Sequence, residues 1–361
     1  MGFEISSALL HFLVRELQVL RDGKVEKIYQ LDKNDVVFRV YSGGVKRALR
    51  FVLPGGVFLC SQSFSAPRLP LGFCMFLRKY LDKARLVSVE QRGFERILVL
   101  KFLSRGEEFF LVAELFKPGN LVLCREENGS LVVINSLSRQ KFRDRVVRSR
   151  EVYEFPPALV NPLEVSAEEL VSLLDSSDRS VVKTLASRLG LGGVYAEELL
   201  FRAGVDKDKS GITLDEASVL ISTFKSFFGE PIRATVSGSN VFPVRMLTEK
   251  GEDVESISAG IDGFFPLVSE KQSEVVEKKK GKTSSLVSIQ EKMIRDLEEK
   301  IVENQSRAEF IYSNYQDFKL LLDKANKIRE EKGLVALEEE MKKNPRFKSL
   351  NKKDKELILS F

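Results

Sequence analysis

Tryptophan is absent from the 361-residue chain, and histidine occurs once, at His11. Metal centres and acid–base catalysis near neutral pH most often recruit histidine, so both function classes have little material here. Only three cysteines are present, Cys60, Cys74 and Cys124, without a Cys-x-x-Cys pair. That spacing argues against a zinc site or disulfide framework and suits reduced thiols in a cytosolic protein. No apolar run approaches the roughly 18 residues a membrane span needs. The opening stretch carries Glu4, Arg15 and Glu16 inside its apolar pattern, unlike a signal peptide. A cytoplasmic protein with no membrane partner, metal or cofactor is expected.

What is present is ordinary globular material, 43% hydrophobic and 30% charged, enough for two or three domains. Aromatic packing falls to 26 Phe and seven Tyr. The net charge of +5 hides a strong asymmetry. Residues 1–160 hold 26 Lys and Arg against 17 Asp and Glu, a net of +9. Residues 161–270 hold 10 against 18, a net of −8, and the remainder 21 against 17. A basic N-terminal block beside an acidic one points to a polyanion partner for the former.

Ser6 and Ser7 can cap a first helix carrying Leu9, Leu10, Leu13, Val14 and Leu17 at helical spacing. Strand-like runs follow at 25–31, 36–41, 48–53 and 57–60, with Gly43-Gly44 and Pro54-Gly55-Gly56 as turns. A helix is expected over 71–81. Strands resume at 86–91, 97–103, 109–115, 121–124 and 131–134, with Asn128-Gly129 as a hairpin signal. The fold class is α+β. A β-rich domain spans 1–160, and a helical module spans 161–230 with Gly190, Gly192, Gly193 and Gly204 in its turns. A mixed connector covers 231–268. From Leu286 a seam of Ile289, Met293, Leu297, Ile301, Ala308, Ile311, Tyr315, Phe318 and Leu322 suits one coiled-coil helix, assigned to an arm over 269–333. Its one-sided stripe is expected to need cover over 286–325, by a dimer or another coiled-coil contact. Residues 334–361 read as the start of a tip, and the apolar ending Leu357-Ile358-Leu359 suggests a shortened chain.

Three motifs fail on spacing. Asp206-Lys-Asp208-Lys-Ser210-Gly211 resembles half an EF-hand loop, but position twelve is Ala217 rather than Glu. A polar loop capping the next helix is the better account. Gly281-Lys282-Thr283 lacks the earlier P-loop glycine, which would be Val276. Gly190-Leu-Gly192-Gly193 has no preceding strand and is no dinucleotide fingerprint. A turn of this kind can still bring backbone amides to a phosphate.

The densest basic feature is Arg139, Lys141, Arg143, Arg145, Arg148 and Arg150. Alternation along an extended segment can put several of these on one face, where guanidiniums suit phosphates. Arg78-Lys79 closes an amphipathic helix. Glu95-Arg96, where a strand begins, would alone be a surface ion pair of small energy.

Three longer segments are Arg188-Leu-Gly-Leu-Gly-Gly-Val-Tyr-Ala-Glu-Glu-Leu-Leu-Phe-Arg-Ala-Gly204, Phe73-Cys-Met-Phe-Leu-Arg78-Lys79 and Gln91-Arg-Gly-Phe94-Glu95-Arg96-Ile97. Together they resemble the NFACT family of ribosome quality-control factors, the first looking like the family's helical signature. The second is similar to the family's Phe-x-Met-x-Leu-Arg-Lys segment, and the third to its Gln-x-x-Phe-Asp-Arg-Ile. Glu114-Leu-Phe-Lys-Pro-Gly119-Asn120 and Ile311-Tyr-Ser-Asn-Tyr-Gln316 match further family segments, in the family's order. The resemblance implies a glycosylase-like N-terminal domain, a helix-hairpin-helix-type module and a long coiled coil. It also implies binding to large ribosomal subunits that carry peptidyl-tRNA, contact with rRNA, and recruitment of aminoacyl-tRNA, chiefly alanyl-tRNA. The untemplated tail would be joined by the ribosome's own peptidyl-transferase centre, so no enzyme is expected. Glu95, Arg96, Arg78, Lys79, Arg139, Lys141, Arg143, Arg145 and Arg148 are the expected RNA contacts.

Two departures stand out. The family's Asp-Arg pair is Glu95-Arg96 here, and a second family aspartate would fall near Leu9. The rival readings are a DNA glycosylase or lyase of similar fold, and an adhesin-like or scaffolding coiled coil. Met1-Gly2-Phe3 offers the first no N-terminal proline nucleophile, and the activated-nucleophile constellation is absent.

Overall fold

Residues 3–67, 69–141, 145–267, 294, 297–351 and 356–360 are described by the computed structural model. The chain divides into two compact units, Met1–Ser269 and Glu270–Phe361.

The first unit is built on a nine-stranded antiparallel sheet. Its strands are β1 (Lys24–Asp32), β2 (Asp35–Ser42), β3 (Val45–Val52), β4 (Gly56–Cys60), β5 (Arg85–Gln91), β6 (Ile97–Ser104), β7 (Glu107–Glu114), β8 (Asn120–Glu127) and β9 (Ser130–Ser136). The order is β4-β3-β2-β1-β5-β6-β7-β8-β9, two meanders joined where β1 meets β5. Short turns set the register. Gly43-Gly44 and Asn128-Gly129 all have positive φ, the geometry a two-residue hairpin requires. A two-stranded ribbon, β10 (Gln140–Lys141) with β11 (Val146–Val147), follows the sheet.

Helix α1 (Ser7–Leu17) precedes the sheet, and α2 (Gly72–Leu81) is inserted after β4. The Ser6 hydroxyl caps α1 by accepting from the Leu9 N–H at 3.1 Å. Leu9, Leu10, Leu13 and Leu17 are buried at the expected helical spacing. The helical module consists of α3 (Ala167–Asp175), α4 (Val181–Arg188), α5 (Gly193–Ala203) and α6 (Leu214–Gly229). Thr213 and Glu216 form a capping box on α6, so the EF-hand-like loop leads into a helix cap. The connector folds as a three-stranded sheet, β12 (Thr235–Ser237), β13 (Asn240–Phe242) and β14 (Glu252–Asp253), plus α7 (Ile257–Asp262).

One core runs through all of this, from Phe3 to Ile261. Helix α1 is its hub. Arg15 donates to the carbonyls of Phe228 and Glu230 at the end of α6, at 3.1 and 3.0 Å. Glu16 accepts from the N–H groups of Ile257 and Ser258 at the start of α7. Both contacts satisfy helix ends that would otherwise lack partners. A second core on the opposite face of the later strands joins Ile97, Val112, Val122 and Val133 to Val147 and Tyr153.

In the second unit, 297–313 is helical, and a helix α8 (Tyr315–Met341) follows. The seam residues Leu297, Ile301, Ile311, Tyr315 and Leu322 are each more than half exposed. Ile289 and Met293 lie outside the described residues. Helix α8 breaks at Gly333, whose φ of 80° and ψ of 177° are open only to glycine among ordinary residues. The chain reverses there, so Leu334, Leu337 and Met341 pack against Leu321, Ala325 and Ile328. A hairpin of β15 (Phe347–Asn351) and β16 (Glu356–Leu359) adds Phe347, Leu350, Leu357 and Leu359 to that cluster.

Candidate nucleic-acid interface

The turn from β5 to β6 is held rigidly against the start of α1. Gln91 Nε2 donates to the carbonyls of Ser7 and Glu95, at 3.0 and 2.9 Å. Phe94 is buried, edge to face with Phe228 at 5.2 Å and beside His11. That anchoring presents the next two residues, Glu95 and Arg96, to a cleft of about 530 Å³. The other walls come from Glu4, Ser6 and Ser7 at the start of α1, from Pro156, Pro157 and Leu159, and from Gly190 and Gly192 between α4 and α5. Two motifs nearly a hundred residues apart therefore share one cleft.

Glu95 and Arg96 do not pair with each other. Glu95 Oε1 accepts from the Leu159 N–H at 2.6 Å, tying the segment after the sheet to the turn. The guanidinium of Arg96 instead faces Glu4 at 3.5 Å and is 35% exposed. Glu4's other oxygen takes Lys117 Nζ at 2.6 Å. The Lys117 ammonium, helped by Arg96, holds the Glu4 carboxyl below the usual carboxylate range. The cleft thus sets Arg96 beside two carboxylates, Glu4 and Glu95, with Lys117 reaching Glu4 from outside its lining. An arrangement offering donors and acceptors side by side suits a base edge or ribose, whereas phosphate alone would call for cations.

The glycine turn supplies backbone. Gly190 and Gly192 have φ of 67° and 77°. A Cβ on Gly190 would sit 3.1 Å from Leu159 Cδ1, which would have to give by a few tenths of an ångström, and the positive φ itself favours glycine there. At Gly192 the space is open, and α5 begins on it without a side-chain cap. Uncapped N–H groups at a helix start are donors for an anion. Leu9, the place of the second family aspartate, is buried in the core.

The remaining expected contacts scatter. Arg139 is exposed. Arg148 is exposed and pairs with Glu151 at 2.8 Å. Arg143 and the side chain of Lys141 lie outside the described residues. Arg145 is turned inward, which corrects its placement on a solvent-facing strip. Its side chain is 5% exposed and meets Glu114 Oε1 at 2.6 Å. Tyr153 OH donates to the same oxygen at 2.6 Å. A guanidinium locked in that triad is closed to phosphate. Arg78 is half-buried and donates through Nε to the Ile28 carbonyl at 2.8 Å. Lys79 is exposed, with Nζ 5.3 Å from the Tyr80 ring centre. Sequence reasoning missed Glu4 and Lys117, which no local pattern connects to Arg96. Among the described residues no cluster of His, Cys, Asp and Glu could hold a metal, and no helix is long and apolar enough to cross a membrane.

Residues 6–344 match the family model of NFACT N-terminal and middle domains. The chain belongs to the NFACT family. It is 28% identical over 375 residues to the archaeal Rqc2 homolog aRqcH of Methanocaldococcus jannaschii, covering 95% of this chain and 55% of that one. It is 28% identical over 260 residues to the Rqc2 homolog RqcH of Bacillus subtilis, covering 67% and 45%. Human ribosome quality control complex subunit NEMF is also 28% identical, over 216 residues, 56% of this chain and 19% of NEMF. The chain thus spans about half the length of the archaeal and Bacillus NFACT relatives. The N-terminal structure of the fibronectin/fibrinogen-binding protein of Streptococcus suis superposes with a TM-score of 0.61 at 24% identity, covering 72% of this chain and 98% of that one. A fibrinogen binding protein of Staphylococcus aureus gives 0.61 at 18%, with the same coverage. These two share the mixed α+β fold of the first unit's large antiparallel sheet and helices.

Proposed function

We propose that this chain acts in ribosome quality control, binding large ribosomal subunits that carry peptidyl-tRNA and recruiting tRNA, alanyl-tRNA first, for untemplated extension of the stalled chain. Peptide-bond chemistry then belongs to the ribosome, and the chain's task is recognition. The observation that carries the reading is the convergence of Glu95-Arg96, the Gly190–Gly193 turn and the start of α1 on one cleft. Arg96 supplies a planar donor fork. Glu4 and Glu95 supply acceptors, and the α5 amides suit a phosphate. The surrounding +9 charge of residues 1–160 favours approach of RNA. The names of the NFACT relatives agree with this role. Arg139, Lys141, Arg143, Arg148 and Lys79 are proposed as additional backbone contacts.

Co-sedimentation with split large subunits, with and without peptidyl-tRNA, tests the reading. Association that depends on peptidyl-tRNA is expected. Arg96→Ala should reduce tRNA affinity more than about tenfold, or about 1.4 kcal/mol, and leave the melting temperature nearly unchanged. Arg96→Ala protein that binds tRNA as tightly as the parent removes the cleft from the binding surface.

A further inference from the structure

The β1–β2 hairpin carries a charge pattern that folding alone disfavours. Its register sets Lys27 directly opposite Arg39, and like charges facing across a strand pair destabilise a sheet. Arg78 joins them from α2. Lys27 Nζ, Arg39 Cζ and Arg78 Cζ stand 5.4, 5.2 and 5.8 Å from the centre of the Tyr29 ring. Arg39 also lies 5.1 Å from the Phe64 ring, which meets Tyr29 edge to face. Ile28 and Phe38 fill the core from the other side of the hairpin, so the cluster faces outward.

No carboxylate pairs with these three cations among the described residues. Of the acids near in sequence, Glu26 is taken by Lys46 and Asp35 by Arg50. Cation–π contacts of about 0.5–1 kcal/mol at exposed sites hold the cations over the ring without neutralising them. Tyr29 itself is only 8% exposed, so it cannot stack a base. What the surface offers is cationic donors without acceptors, the reverse of the mixed Glu95–Arg96 cleft.

We infer that Lys27, Arg39 and Arg78 form a second RNA site, one that takes backbone phosphates without reading bases. The inference rests on the RNA-binding reading of the chain and adds a contact surface to it. The like-charge pair is then kept for binding at the expense of hairpin stability.

The full chain is titrated with a labelled oligouridine RNA over a range of salt, beside Lys27→Gln/Arg39→Gln and Arg96→Ala. Arg78 is left intact because its Nε holds the Ile28 carbonyl. The double variant is expected to bind at least about tenfold more weakly. Its log–log salt slope should fall by about 1.4, two contacts at roughly 0.7 each on a single strand. Its melting temperature should stay close to the parent's, because the relieved repulsion and the lost cation–π contacts oppose each other. Unchanged affinity and slope in the double variant, with a loss in Arg96→Ala, overturn this site and leave the cleft standing. A parent chain that binds no RNA overturns both. Tighter binding of polyglutamate than of RNA, lost in the double variant, overturns the inference in favour of an acidic protein partner.

Discussion

Glu95 shows what one methylene can do. Its carboxylate reaches Leu159 N–H at 2.6 Å, and the shorter aspartate of the family pattern would draw back from it. Glu95→Asp should lose about 0.5–1.5 kcal/mol of stability, the worth of one hydrogen bond, and shift tRNA affinity because the cleft wall at Leu159 loosens. Chemical denaturation and tRNA titration on the same protein check both. Arg145 is the opposite case, a cation whose work is internal. Removing it leaves Glu114, 1% exposed at its side chain, without its countercharge. Arg145→Ala should therefore cost about 3–5 kcal/mol, far beyond the near-zero effect expected for Arg148→Ala at an exposed pair. Neither outcome is visible in the run of arginines itself. Alternation along a strand fixes which side a residue takes, but not that Glu114 and Tyr153 wait on that side.

At the scale of elements, much was legible in advance. The nine strands of the sheet and helices α1 and α2 each fall within a few residues of the expected runs, and α3 to α6 lie in the stretch read as helical, because apolar periodicity and glycine turns are local signals. The connector was not legible: strands of two or three residues carry too little periodicity. The cleft was half legible. Glu95, Arg96 and the glycine turn stood out, while Glu4 and Lys117 join them only through tertiary packing. One element contact has a pH signature. His11 on α1 lies among Phe12, Phe94 and Phe228. Burial there, with help from Arg15 and against a smaller opposing influence of the Gln91 side chain, lowers its pKa. The unfolded chain then takes up this proton more readily than the folded one. The imidazole's share of stability is full above about pH 6.5 and is lost as pH falls from there through the folded value. The parent's melting temperature should drop across that window by more than that of His11→Gln, and equal slopes would refute the assignment.

For the whole first unit, the shared core matters more than the boundaries read from composition. Residues 161–230 and 231–268 contribute Leu185, Phe224, Phe227 and Ile261 to the core of the sheet. Calorimetry should therefore give one cooperative transition for this unit, with no separate melting of the helical module. A chain stopped near residue 160 should expose that apolar face and aggregate. Burial pushes the Cys124 thiol up to about 12 and the Tyr153 phenol upward as well. Both favour the protonated folded state, so the same transition should move to lower temperature as pH rises above about 9.

The reversal at Gly333 sets a length. Helix α8 has 27 residues and, drawn straight, would be a rod of about 40 Å at about 1.5 Å per residue. Because the chain turns back after Lys332, its outward run is only about 27 Å. Gly333 is a stop on a ruler, since it decides where the rod ends and the tip begins. Gly333→Ala removes the residue able to make that corner. It should lengthen the second unit, seen as a larger maximum dimension in small-angle scattering, and should raise helical circular dichroism while Leu337 and Met341 lose their cover.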